Sequence, residues 1–220
     1  MIQPPSSPDA STGDRQPRHR ESGDDRRSAI AAAARSIIAE KGFDRLRTRD
    51  IADAVGINIA TLHYHVPTKE ALIELVTASM RDEFAAHHAS MDRNRLTPVD
   101  ELRLEIREFQ VLRRDNPQLL AVMSELGQRA RVDDNVARYL VPLRAGWRAR
   151  ISDILSRGIA AGQFRPTLDP DAGAIIVTGA IIALMQYPVD ETPDLQPVLE
   201  EILRSFLSSS HKETHHAAAD

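Results

Sequence analysis

Cysteine is absent from this sequence, so it holds no disulfide framework and no thiolate chemistry. Aromatic residues make up only 4%, and runs of alternating β-branched residues are few, which argues against a β-sheet protein. No apolar run reaches the roughly 20 residues a membrane helix needs. The most apolar one, Ala172 to Met185, is shorter and contains glycine and threonine. The first residues are polar and lack the apolar core of an export signal, so a cytoplasmic location is expected. Also missing are a glycine-rich phosphate loop, a nucleophile elbow and a spaced set of metal ligands. His63 and His65 stand two apart, about 200° around a helix, and adjacent His87 and His88 meet the same objection to sharing one ion. No catalytic residue, metal site or cofactor is expected. A helical enzyme remains the opposing class, with only scattered Asp, Glu and His to support it.

What the chain does contain is helical. It has 220 residues, 42% hydrophobic, with Ala, Leu, Ile, Arg and Glu frequent, enough for one or two domains with a real core. The net charge of −4 would by itself argue against nucleic acid. Between Arg15 and Arg81, however, lie 12 Lys and Arg against 9 Asp and Glu. This local excess coincides with the segment LRTRDIADAVGINIATLHYHVPTKEALIEL, from Leu46 to Leu75. Ile51, Ala52 and Val55 fit one short amphipathic helix, and Gly56 sits where it stops with positive φ. Asn58 is a candidate N-cap for a second short helix, Ile59 to His65, with Ile57 as a hydrophobic staple. That helix keeps Leu62 and Val66 on its apolar face and turns Ala60, Thr61, His63 and Tyr64 elsewhere. The pattern is a helix-turn-helix whose second helix suits a DNA major groove.

On these residues the segment from Arg26 to Val76 resembles the DNA-binding domain of TetR-family transcriptional regulators. The carrying runs are AEKGFDRLRTRDIADAVGI, TLHYHV and PTKEAL. Asn58, His63 and Val66 depart from the residues more common there. The resemblance implies an all-α fold: an N-terminal three-helix helix-turn-helix DNA-binding domain at 25–75 and a larger helical ligand-binding and dimerisation domain at 76–207. It also implies roles. Arg49 reaches either a guanine edge or a phosphate. Asn58, Ile59, Ala60 and His63 are base-edge candidates, and Thr48, Thr61, Tyr64 and Lys69 are phosphate clamps. The expected partner is a double-stranded DNA operator.

Residues 1–24, rich in Pro, Ser, Asp and Arg, read as disordered, serving either as a solubilising tail or as an arm on the phosphates or minor groove. Residues 208–220 read as a fraying tail. In the first helix Ile30, Ala33, Ala34, Ile37 and Ile38 recur at helical spacing, ending near Gly42, with Phe43 and Leu46 tucked under the motif. A longer helix runs from an N-cap at Thr68 to near Met91. Thr97 and Pro98 open another, which breaks at Asn116-Pro117, and Leu119 to Leu126 form the next. Asp133 or Asp134 begins a long helix, with Pro142 predicting a kink or a break near Arg138. Gly162 is a C-cap, and Asp169-Pro170 restart the chain.

The helix at 172–186 is apolar on nearly every side, and the one at 194–207 repeats Leu195, Val198, Leu199, Ile202, Leu203 and Phe206. Together they predict a homodimer face in a four-helix bundle; the other possibility is a core within one chain. The resemblance further implies a small, apolar effector among the helices from 80 to 155. Candidate contacts are Phe84, His87, Met91, Phe109, Met123, Leu126 and Trp147. A ligand-responsive repressor on a pseudo-palindromic operator is the resulting expectation. Control by a protein partner instead of a ligand is the alternative.

Overall fold

The computed structural model describes residues 23–90, 93, 95–187 and 195–209. Each helix begins and ends for a local reason. α1 (Gly23–Lys41) has Asp24 and Asp25 in its first turn and Lys41 in its last, complementing the helix dipole. A single 3-10 turn (Phe43–Arg45) leads to α2 (Thr48–Val55). Gly56 ends α2 at φ 72, donating to the Asp53 carbonyl while Ile57 donates to that of Ala52. This pair of bonds is the Schellman arrangement, and it needs a residue at ease with positive φ. α3 (Ile59–His65) follows at once, capped by the Asn58 side chain, which accepts from the Thr61 N–H at 2.7 Å.

Seven residues are too few for a helix to persist alone. α3 is held by Leu62, 1% exposed, and the adjoining Val66, 4% exposed, both in the core. Thr68 then caps α4 (Lys69–Ala89). Thr97 caps α5 (Pro98–Asp115), with proline in the first turn. Asn116 ends α5 and caps α6 (Pro117–Arg129), its side chain accepting from the Leu119 N–H at 3.1 Å. Asp133 caps α7 (Asp134–Ala160), and Asp169 caps α8 (Pro170–Leu184). α9 (Leu195–Phe206) closes the described chain. Apart from one isolated antiparallel bridge between Phe164 and Leu207, regular structure among the described residues is helical, the expected fold class.

α1 packs against α2, α3, α4 and α6 and is thus the hub between the reading helices and the rest of the molecule. Its buried stripe, including Ile30, Ala34, Ile37 and Ile38, follows helical spacing. The seam between α1 and its neighbours is polar. Arg35 reaches Glu83 on α4 at 2.6 Å, and Gln118 on α6 donates to Ser36 at 3.0 Å. Glu125 accepts from the Phe43 N–H at 3.3 Å, and Arg129 pairs with Asp44 at 2.9 Å.

Some expectations change. α7 runs unbroken through Pro142, so there is no break at Arg138. The proline simply leaves the Arg138 carbonyl without its N–H partner, and packing along the rest of α7 keeps the helix continuous. α1 begins at Gly23, inside the segment expected to be disordered; residues 1–22 lie outside the described residues. Ser208 does not fray: its N–H donates to the Gln163 carbonyl and its hydroxyl to that of Gly162. The tail from 210 lies outside the described residues, as does Met91. α4 is continuous through the boundary expected at 75/76, so one helix belongs to both parts.

Candidate functional site

Two places gather chemistry. The first is the outer side of α2 and α3. Thr48, Arg49, Asn58, Ala60, His63 and Lys69 are all exposed, and Thr61 is half-buried. Ile59 is 39% and Tyr64 84% exposed, large values for such side chains. The Tyr64 ring stands edge-on to His65 with centroids 5.2 Å apart. Arg27 donates to the His65 carbonyl at 2.9 Å, tying the end of α3 back to α1. The surface offers hydroxyl, imidazole, phenol and guanidinium groups on one short helix and the start of its neighbour. Such groups bond base edges and phosphate oxygens.

Two of these residues are already engaged, Asn58 in the cap its position implied and Lys69 in a contact the sequence did not reveal. The Asn58 oxygen is committed to the cap, which leaves only its amide N–H groups for a ligand. The Lys69 ammonium lies over the Phe43 ring, 4.9 Å from its centroid, and must leave that ring to meet a phosphate. Exposed Arg45 and Arg47 flank the same surface; the alternating arginines of Arg45-Leu-Arg-Thr-Arg49 were the signal for them.

The second place is a cavity of about 640 Å³ walled by α4, α5, α6 and α7, with Met185 past the end of α8. Phe84, His87, Phe109, Met123 and Trp147 all line it. Leu126 does not: it is fully buried in the core on another side of α6. The wall also carries groups that sequence reasoning missed, among them Arg81, Arg144, Arg150, Glu105 and Glu108. They come from three helices, α4, α5 and α7, which only packing brings together.

Most of those charges are paired. Arg93, on the connection between α4 and α5, binds Glu105 at 2.8 Å and Glu108 through its other terminal nitrogen. Arg150 lies 3.4 Å from Glu105. Glu108 is pushed above the ordinary carboxyl range by burial and then by Glu105, with Arg93 opposing. His88 Nδ1 is 3.2 Å from Glu105 but off line for a hydrogen bond. Burial, then Arg150, holds this imidazole below its ordinary value, against the pull of Glu105. Among the described residues the buried His87 Nε2 has no hydrogen-bond partner.

His88, Glu105 and Glu108 have ligand atoms within 4.8 Å of one another, a grouping hidden from sequence because it joins α4 to α5. The Arg93 guanidinium already bridges the two carboxylates, so a divalent ion would have to displace it. Arg144 is different from the other cations. Among the described residues it has no ion pair or hydrogen bond. Burial, with repulsion from Arg148, lowers its pKa.

A helix-turn-helix with an exposed second helix, joined to a larger helical body around a cavity, defines a DNA-binding transcriptional regulator. Residues 30–76 match the family model for bacterial regulatory proteins of the tetR family. The chain is 27% identical over 147 residues to the transcriptional repressor KstR2 of Mycobacterium tuberculosis, covering 66% of this chain and 72% of that protein. Its reading module is that of the TetR family of transcriptional regulators. A TetR-family regulator from Agrobacterium tumefaciens shares the fold, with a TM-score of 0.75 at 22% identity, covering 85% of this chain and all of the other. AibR, whose structure holds isovaleryl coenzyme A and operator DNA, superposes with a TM-score of 0.67 at 20% identity, over 83% of this chain and 98% of that one.

Proposed function

We propose that this protein is a repressor that binds a pseudo-palindromic operator as a homodimer and lets go when a small molecule enters the cavity. In this reading Asn58, Ile59, Ala60 and His63 meet base edges. Thr48, Thr61, Tyr64 and Lys69 meet phosphates, and Arg49 meets either. The dimer forms through α8 and α9. Ile175 and Ile176, 61% and 49% exposed in the single chain, give α8 an apolar face that water would leave uncovered. Two reading helices related by a two-fold axis fit half-sites about 34 Å, one helical turn, apart or multiples of it.

The observation that carries the effector part is the position of α6. Leu120 and Met123 on it line the cavity, while Gln118, Glu125 and Arg129 on the same helix bond Ser36, Phe43 and Asp44 of the reading module. A ligand that shifts α6 must therefore disturb the seam that positions α2 and α3. A coupling of about 3 kcal/mol between the two sites weakens operator binding about 150-fold. That AibR is described with both an acyl coenzyme A and operator DNA supports one protein of this fold holding both classes of ligand.

The test is selection from random duplex DNA with the full chain, then affinity across several salt concentrations. Enrichment of an inverted repeat is the expected result. Enrichment of nothing at low salt, with folded protein, would overturn the proposal.

A further inference from the structure

Arg144 sits on α7 one turn from Trp147, so both face the cavity from neighbouring rows of the same helix. Its guanidinium lies against α6 where Gly127 has no side chain; a Cβ there would stand 2.1 Å from one of its terminal nitrogens. The close approach takes the group partly out of water, and an arginine stays protonated at any physiological pH. A half-buried charge with no described residue opposite it is an unfavourable arrangement unless something completes it.

The other charges around the cavity are already answered. Arg93 spans Glu105 and Glu108, Arg150 faces Glu105, Arg81 lies 3.4 Å from Asp82, and Tyr139 donates to Glu74 at 3.4 Å. The remaining wall is mostly apolar, with Phe84, Phe109, Leu112, Met123 and Trp147, and its polar members His87 and Thr77 carry no fixed charge that answers Arg144. A cationic ligand would be repelled by Arg144, and a neutral one would deepen its desolvation.

We propose that the cavity takes an amphipathic anion, its apolar body among Phe84, Phe109 and Trp147 and its single negative group paired with Arg144. This refines the small, apolar effector expected from the sequence, and it rests on the reading that the cavity is the effector site. The guanidinium fork suits carboxylate, sulfonate and phosphate oxygens alike.

Trp147 is the sole tryptophan of the chain, so energy transfer from it reports occupancy of this cavity. The probes are 8-anilinonaphthalene-1-sulfonate and its uncharged relative N-phenyl-1-naphthylamine, which share rings and differ in the sulfonate. The unaltered protein is expected to bind the sulfonate at least about tenfold more tightly, worth about 1.4 kcal/mol. Arg144→Gln removes that preference by weakening the sulfonate, while the neutral amine's affinity does not fall, since its desolvation of the charge is relieved. Gly127→Ala, which keeps every charge but pushes the guanidinium aside, weakens the sulfonate too and serves if Arg144→Gln fails to fold. A preference for the neutral amine, or a sulfonate preference that survives both folded variants, overturns the anion assignment while the cavity stands. If neither probe draws energy from Trp147, the effector reading itself falls.

Discussion

Asn58 has two roles to separate, and one substitution series does so. Its side-chain oxygen accepts the Thr61 N–H at 2.7 Å, satisfying one of the N–H groups that every helix leaves open at its start. Its amide N–H groups point out with an exposed side chain and are free to meet a base. Asn58→Ala removes both functions. Loss of the cap costs about 1 kcal/mol, within a range of roughly 0.5–2. α3 has seven residues, so the missing bond is felt along its whole length. If fraying must be reversed on DNA, about 1 kcal/mol per reading helix is roughly a fivefold loss for each half-site and about 30-fold for the dimer, on every sequence. Asn58→Ser keeps a cap oxygen but supplies no amide.

Serine should therefore restore the unfolding midpoint in urea and the sequence-independent part of binding. Preference at one operator position should remain altered. The assays are denaturant unfolding and selection from random duplexes, run on all three proteins. Should alanine leave the midpoint unmoved, or serine fail to restore it, the cap is not what holds α3. Should serine leave the selected sequence unchanged, Asn58 does not read a base.

Other outcomes follow from single features. Gly56→Ala places a side chain at φ 72 with no atom within 4 Å of its Cβ, so its cost is backbone strain alone, about 1–2 kcal/mol, read as a lower urea midpoint. Glutamates at Ile175 and Ile176 should turn a dimer into a monomer in sedimentation analysis and abolish operator binding; a dimer that persists would exclude this face. His88, whose folded pKa is depressed, contributes stability that is full above about 6.5 and is lost as pH falls through its folded value. Around it stand Glu105, Glu108, Arg93 and Arg150. Glu108 works in the opposite sense, its contribution being lost as pH rises through its raised folded value. His88→Gln should flatten the fall in melting temperature between pH 7 and 5, and an unchanged slope would remove His88 as the cause.

The reading module was legible because its signals are local. Gly56, Asn58 and Thr68 act within five residues of themselves, and each does what its chemistry dictates. The break that Pro142 left open is absent for a converse reason: a proline weighs heavily on local propensity, but α7 is packed by α4, α5 and α8. The apolar lining was half visible, since Phe84, Phe109, Met123 and Trp147 interrupt helices with bulky residues. Leu126 looked no different from Met123, three positions earlier, because only the fold decides which side of α6 faces the cavity. The charged wall was invisible. Arg144 beside Gly127 is a meeting between helices, and Arg93 between Glu105 and Glu108 one between a connection and a helix, that no spacing announces.

The continuity of α4 bears on how such a molecule can be taken apart. At 21 residues and 1.5 Å of rise per residue, it is a rod about 30 Å long. A rotation of about 5° at its cavity end carries its other end through roughly 2–3 Å, more than a hydrogen bond to a base edge tolerates. A chimaera cut at residue 75 would saw through this rod and sever the reader from its control. One cut ahead of Pro67 would keep the new reader's short helices and borrow the host's lever intact. Exchange of specificity at the extended turn between α3 and α4 would thus also have to carry the seam partners Ser36, Phe43 and Asp44 of the host.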